Sequence, residues 1–257
     1  MATRLGASGT IPAPPPWTDV TTSTYPESVR RLFRVLGTLL LVLGLLSFSW
    51  AFVTWQWGDP VTSLYTRWKQ RDLASAYERV ADRFAVPPAA VRADGNASEA
   101  IRAAARRLRA AAGEGQAIGR LEVPKLGVDM VVVNGTDTAS LKTGPGRDPR
   151  TFMPGEGGLV YIAGHRTTYG APFAHIDRLQ EGDRVVLRMP YATVVYRVTR
   201  YVIVPADDIG RLKSNGRELV ALQACHPRFS AKERYIVYAT PVSITPVQRS
   251  KERPVSS

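Results

Sequence analysis

The sequence predicts an all-β domain, a closed barrel or a sandwich, carried behind one long apolar helix and two amphipathic ones. Three observations predict it. From about Ile118 onward, short β-branched runs alternate with glycine- and proline-bearing turns. Before that, apolar residues recur at helical spacing. Further upstream, the 23 residues from Val35 to Trp57 carry no charge.

The chain has 257 residues, room for one sizeable domain and appendages, and its 44% hydrophobic and 22% charged residues are globular proportions. The net charge of +12 invites nucleic acid as a partner. The excess is spread along the chain, with no basic stripe or motif. A diffuse surplus suits a solvated surface or an anionic cell envelope, so no nucleic-acid partner is expected.

Residues 1–34 contain "TIPAPPPW" and "TTSTYPES", with little to bury, and read as a disordered tail. The following segment, 35–57, reads as a transmembrane helix. At ~1.5 Å per residue it crosses a ~30 Å hydrocarbon core with some tilt. A cleaved signal peptide would have a shorter apolar run and a small-residue exit. Here the exit is "WAFVTWQW", whose tryptophans suit a lipid–water interface. Arg30, Arg31 and Arg34 precede the span. The positive-inside rule then puts the tail in the cytoplasm and everything after residue 57 outside the cell membrane, on a single N-terminal span.

Residues 58–115 read as a helical stalk. Leu64, Trp68, Leu73, Tyr77, Val80 and Phe84 fall at helical spacings, and Pro87–Pro88 ends the run. A second helix lies in "ASEAIRAAARRLRAAAG", with Ser98 as N-cap and Gly113 as C-cap. These helices are expected to be a spacer, with a barrel that folds from residue 116 on.

The strands are "IGRLEV", "VDMVVV", "GLVYIAG", "DRVVLRM", "TVVYRVTRYVIV", "ELVALQAC" and "RYIVYATPV". Between them stand the turns "PKLG", "NGTD", "GPGRDP", "MPGEGG", "EGD" and "KSNG". The glycine loops lack the spacing of a phosphate-binding loop and are read as turns.

Cys225 is the only cysteine, so it makes no internal disulfide. It ends the strand "ELVALQAC", His165 follows "GLVYIAG", and Arg234 opens "RYIVYATPV". Strand ends bring distant segments to one rim. There a thiol, an imidazole and a guanidinium would supply a nucleophile, an acid–base and a fixed donor for an oxyanion. Each has a plainer reading: Cys225 as a small buried hydrophobe, His165 as a turn residue, Arg234 as a strand-edge charge. His175 and His226 are the other histidines. On an extended chain His226 points away from Cys225, which favours His165 as the thiol's partner.

"GLVYIAGHRTTYGAPFAHIDRLQEGDRV" with "ELVALQACHPRFSAKERYIVYA" resembles the sortase family, and "LEVPKLGVDMVVVNGTDTASLKTGPG" resembles its first strands. "AGHRTTYGAPF" and "CHP" look most like class E sortases of actinobacteria. The resemblance implies an eight-stranded β-barrel over 116–246, followed by a flexible tail over 247–257. It implies a membrane-anchored cysteine transpeptidase with Cys225, His165 and Arg234 as catalytic residues. Substrate contacts are implied at Thr168, Tyr169 and Ala224. The implied partners are secreted proteins with a C-terminal sorting signal of L-x-x-T-G type, cut between Thr and Gly, and a cell-wall precursor amine as acceptor. No cofactor is expected, and Asp207–Asp208 alone make no metal site. One departure stands out. The family has Thr-Leu-x-Thr-Cys where this chain has Ala221 and Ala224 in "ALQAC". A hydrolytic cysteine peptidase and a non-catalytic envelope-binding module are the alternatives.

Overall fold

A computed structural model describes residues 26–57, 60–86 and 97–247. The expected tails fall mostly outside these residues, as do Pro87–Pro88. The chain divides into two compact units, Met1–Trp50 and Ala51–Ser257.

The described part of the first unit is almost all α1 (Glu27–Trp57), whose last residues, from Ala51, fall in the second. The helix begins eight residues before the apolar stretch, so residues 27–34 are helical rather than part of a disordered tail. Glu27 lies in the first turn, where a carboxylate suits the helix dipole. Residues Glu27–Val53 are long and apolar enough to cross a membrane, and none of that window is buried.

The second unit holds α2 (Pro60–Phe84), α3 (Ala97–Ala111), a short α4 (Thr138–Thr143) and eight strands. These are β1 (Ala117–Val123), β2 (Val128–Asn134), β3 (Gly146–Arg147), β4 (Leu159–Ala163), β5 (Arg184–Arg188), β6 (Ala192–Pro205), β7 (Leu219–His226) and β8 (Glu233–Pro246). They close into a barrel in the order β1-β2-β3-β4-β7-β8-β6-β5, with β5 returning to β1. The β2–β3 and β4–β7 pairs are parallel and the rest antiparallel. The eight-stranded barrel is the fold expected from the sequence.

Side-chain alternation sorts each strand into two faces. Ile162, Leu187, Val194, Tyr196, Leu222, Ala224 and Val237 face one continuous interior core. Leu159, Tyr161, Val204, Ala221, Ile236 and Tyr238 form a smaller cluster on the other face of β4, β6, β7 and β8. That outer patch floors the site described below.

The helices correct the expectation of a spacer. In α3, Ile101, Ala104, Ala105 and Leu108 recur at i, i+3, i+4 and i+7, and all four belong to the barrel's core cluster, with Phe84 and Val86 from the end of α2. Burying a side chain such as Leu108 contributes roughly 1.5–3 kcal/mol. Arg109 also reaches the buried Glu156, Nε to Oε2 at 3.0 Å. The contact face of α2 differs from the one the apolar spacing suggests. Leu64 and Trp68 are 70% and 54% exposed, while Thr66 is buried. The C-terminal end of α2 buries Ala81 and Phe84, and its N-terminal half docks through polar bonds to backbone. Gln70 Nε2 donates to the carbonyls of Val131 and Thr143 (3.0 and 2.9 Å), and its Oε1 accepts from Val131 N–H (2.7 Å). Thr66 Oγ1 donates to Lys142 O at 3.0 Å, and Tyr77 OH to Arg188 O at 3.1 Å. Ser98 lies inside α3 and is not its cap. The turn "NGTD" leads into α4, capped by Asp137, whose carboxylate accepts from the N–H groups of Ala139 and Ser140.

Candidate active site

The parallel pairing of β4 with β7 decides where the site forms. Leu159 pairs with Leu219 and Ala163 with Gln223, so both strands end at the same rim. Gly164 N–H then donates to Gln223 O at 3.0 Å and carries the ladder to one residue before His165 and two before Cys225. A Cβ on Gly164 would lie 2.6 Å from the Phe173 ring, so only glycine allows that ring to close over the strand end. On the other side of β7, Cys225 is the cross-strand partner of Arg234 on β8. Residues so paired project to the same face, their Cβ atoms ~4.5–5.5 Å apart.

His165, Cys225 and Arg234 therefore line one groove, with a volume of about 260 Å³. Tyr161, Ala163, Gln223 and Ile236 form its floor, and Asp148, Arg150 and residues Ile209 and Leu212 of the short helical turn Ile209–Leu212 its sides. The floor residues could have been found from strand parity: Gln223 is two before Cys225, and Ile236 two after Arg234. Asp148 and Arg150 come from the β3–β4 connection and Ile209 from the β6–β7 connection, and they leave no such signal. Burial works against the Asp148 carboxylate. The hydrogen bonds from Arg150 outweigh it and hold the group below the usual range. Burial pushes the Tyr161 hydroxyl far up, so the groove floor carries a neutral phenol.

His165 is half-buried, and its Nε2 finds no protein partner among the described residues. Burial first, and the Lys142 ammonium second, lower its pKa below the ordinary histidine value. Its ring lies 5.1 Å from that of Tyr169, and the Lys142 ammonium sits 5.8 Å from the Tyr169 centroid. Tyr169 has φ of 51°, a left-handed conformation uncommon for a bulky residue. α2 supports it there: Tyr169 N–H donates to Thr62 Oγ1 at 2.8 Å, and the Tyr65 ring meets it edge-on at 6.5 Å. Cys225 is a free, partly exposed thiol. Both protein hydrogen bonds of Arg234 run from Nη1, to Ala231 O (2.9 Å) and Glu233 O (3.0 Å). Among the described residues this leaves the Nε–Nη2 edge of the fork for a ligand.

Of the residues expected to touch substrate, Tyr169 sits against His165, beside the groove lining. Thr168 accepts a turn bond from Ala171 N–H and does not line the groove. Ala224 is corrected. One residue from Cys225, it faces the opposite way and is fully buried in the core. Its methyl in place of a threonine changes the barrel interior rather than the groove wall. Ala221 is buried in the outer cluster under the site. His226 turns from Cys225 toward Arg166 and Tyr235.

Residues 121–242 match the family model described as Sortase domain. Sortase D of Bacillus subtilis is 36% identical over 135 residues, 50% of this chain and 66% of that protein. Sortase SrtE1 of Streptomyces coelicolor is 30% identical over 157 residues, 54% of this chain and 44% of that protein. The class E likeness thus has a counterpart, beside a class D relative of higher identity. Among solved structures, the SrtF sortase from Corynebacterium diphtheriae superposes with a TM-score of 0.51 at 24% identity, covering 56% of this chain and 93% of that one, which shows the shared fold. The chain spans 44–66% of the length of these two curated relatives.

Proposed function

Since this chain belongs to the sortase family, we propose that it is a cysteine transpeptidase, anchored by the apolar helix with its barrel outside the cell membrane. The observation that carries this reading is the convergence of the sole thiol, one imidazole and one guanidinium on a single groove from three strand ends.

The Cys225 thiolate attacks the carbonyl of the threonine in an L-x-x-T-G-like sorting signal of a secreted protein. The oxyanion that develops is met by Arg234, whose planar fork offers fixed donors where the charge appears. Collapse of the tetrahedral intermediate breaks the Thr–Gly bond. The His165 imidazolium gives its proton to the leaving amine, and the acyl group stays on sulfur as a thioester. His165, now neutral, takes the proton of an incoming amine as that amine attacks the thioester and frees Cys225. A cell-wall precursor amine is the acceptor. Burial and then Lys142 favour the neutral ring over the imidazolium.

The test is to incubate the full-length chain in detergent with an L-A-x-T-G peptide and a small primary amine. A ligated product and a thioester on Cys225, both lost in Cys225→Ala, are expected by mass. Hydrolysed peptide alone, at any amine concentration, would make the protein a peptidase. No acyl-enzyme at all would remove the catalytic reading.

A further inference from the structure

Next to His165 in sequence stands Arg166, whose side chain is 4% exposed. Lone buried guanidinium groups are costly, and they persist where other groups hold them. This one spans three segments. Nη1 donates to the carbonyl of Cys225 at 3.3 Å and lies 2.9 Å from His226 Nδ1. Nη2 pairs with Asp177 Oδ1 at 3.0 Å, on the short helical turn Ile176–Arg178. The guanidinium carbon lies 5.8 Å from the Tyr235 centroid, and Tyr235 neighbours Arg234 on β8. Its Nε–H is buried without a partner among the described residues, so the group is not arranged for the greatest stability.

The geometry points to Arg166 as a positioning residue that fixes the distance between His165 and Cys225. This inference rests on the transpeptidase reading. The β4–β7 ladder ends at the Gly164–Gln223 bond. Beyond it β7 runs on to His226 held by β8, while the chain after β4 leaves the sheet; His165 is one residue past that bond and Cys225 two. Arg166 closes the gap. Its backbone continues from His165, while its guanidinium holds the carbonyl of Cys225 itself. Asp177 braces the guanidinium from the far side. Arg166 has no acceptor, so its contact makes His226 Nδ1 the acceptor and places that ring's proton on Nε2. His226 is thereby part of the brace and turned away from the thiol's chemistry. A lysine keeps the charge here but cannot span Cys225, His226 and Asp177 with one planar fork.

The experiment is a coupling measurement on the full-length chain, with iodoacetamide alkylation of Cys225 followed across pH. In the parent chain, His165→Ala should change both the rate and the pH profile of alkylation. With Arg166→Lys, His165→Ala should change little further, because the two groups are already out of register. In ligation assays Arg166→Lys should lower kcat by ~10–100-fold, the scale of a small misplacement, with KM nearly unchanged. Asp177→Asn, at a half-exposed position, should show the same loss of coupling at smaller size while the thermal transition stays put. It keeps the inference open to test even if Arg166→Lys fails to fold. Additive effects of the Arg166 and His165 substitutions, or parental coupling in Asp177→Asn, would overturn the inference. Alkylation needs no peptide, so failure to ligate any sorting signal would count against the transpeptidase reading alone.

Discussion

Cys225 and Arg234 face each other across β7 and β8 as a cross-strand pair. The register of one antiparallel ladder thus sets thiol and guanidinium side by side, with no loop involved. A guanidinium held this way meets an oxyanion through fixed directions. Arg234→Lys should therefore lower kcat by ~10²–10³-fold although the charge remains. Steady-state ligation kinetics check this, and parental kcat in the lysine variant would mean that only the charge matters.

The two histidines nearest the thiol in sequence and in space differ in direction. His165 shares the groove with Cys225, and His226 is engaged by Arg166. His165→Ala should cost ~10²–10⁴-fold in ligation, since in the proposed mechanism one ring serves as acid and then as base. His226→Ala should cost far less. The reverse ranking would break the proposed pairing.

Lys142 adds to burial in setting the titration of His165. Burial and then the Lys142 charge favour the uncharged His165 ring. Lys142→Ala removes the second cause and leaves the first. The His165 titration followed by NMR should move up toward, and stop short of, the ordinary histidine value. The imidazolium then persists to higher pH, and the alkaline limb of ligation should move the same way. A titration that is unchanged or lower would show that Lys142 does not act on the ring.

Helices α2 and α3 are structural parts of the barrel. Leu108→Ala, at a fully buried position, should destabilise the domain by roughly 2–5 kcal/mol in chemical denaturation. A fragment beginning at residue 116 should expose Ile118, Leu121 and their neighbours in the core cluster and aggregate. A soluble, cooperatively folding fragment would contradict this.

Much of this architecture is legible in the sequence because strands write their faces in alternation. A single cysteine at a strand end, a histidine after another strand and an arginine opening a third are enough to mark the rim. The same alternation misleads when one residue is taken for its neighbour: Ala224 touches Cys225 in sequence and lies on the opposite face of the sheet. Only the C-terminal end of α2 was readable, where Val80 and Phe84 of the apolar pattern pack on the core; its N-terminal half is held by Thr66 and Gln70 through bonds to backbone carbonyls, which no apolar pattern records. Lys142 and Arg166 were missed for a related reason. Their influence depends on which loops meet, and only the closed barrel brings those loops together.

The parallel pairing of β4 and β7 has a consequence for the timing of folding. Leu159 meets Leu219, sixty positions further along the chain. Closing a loop of that length costs entropy before any strand contact repays it, and such long-range pairings form slowly. The thiol is therefore only an ordinary cysteine in an extended or half-folded chain. It gains its imidazole neighbour when β7 slots beside β4, and its guanidinium neighbour with β8, the last strand. In the orientation proposed above, the emerging chain would stay chemically quiet until nearly all of its barrel had crossed the membrane and closed.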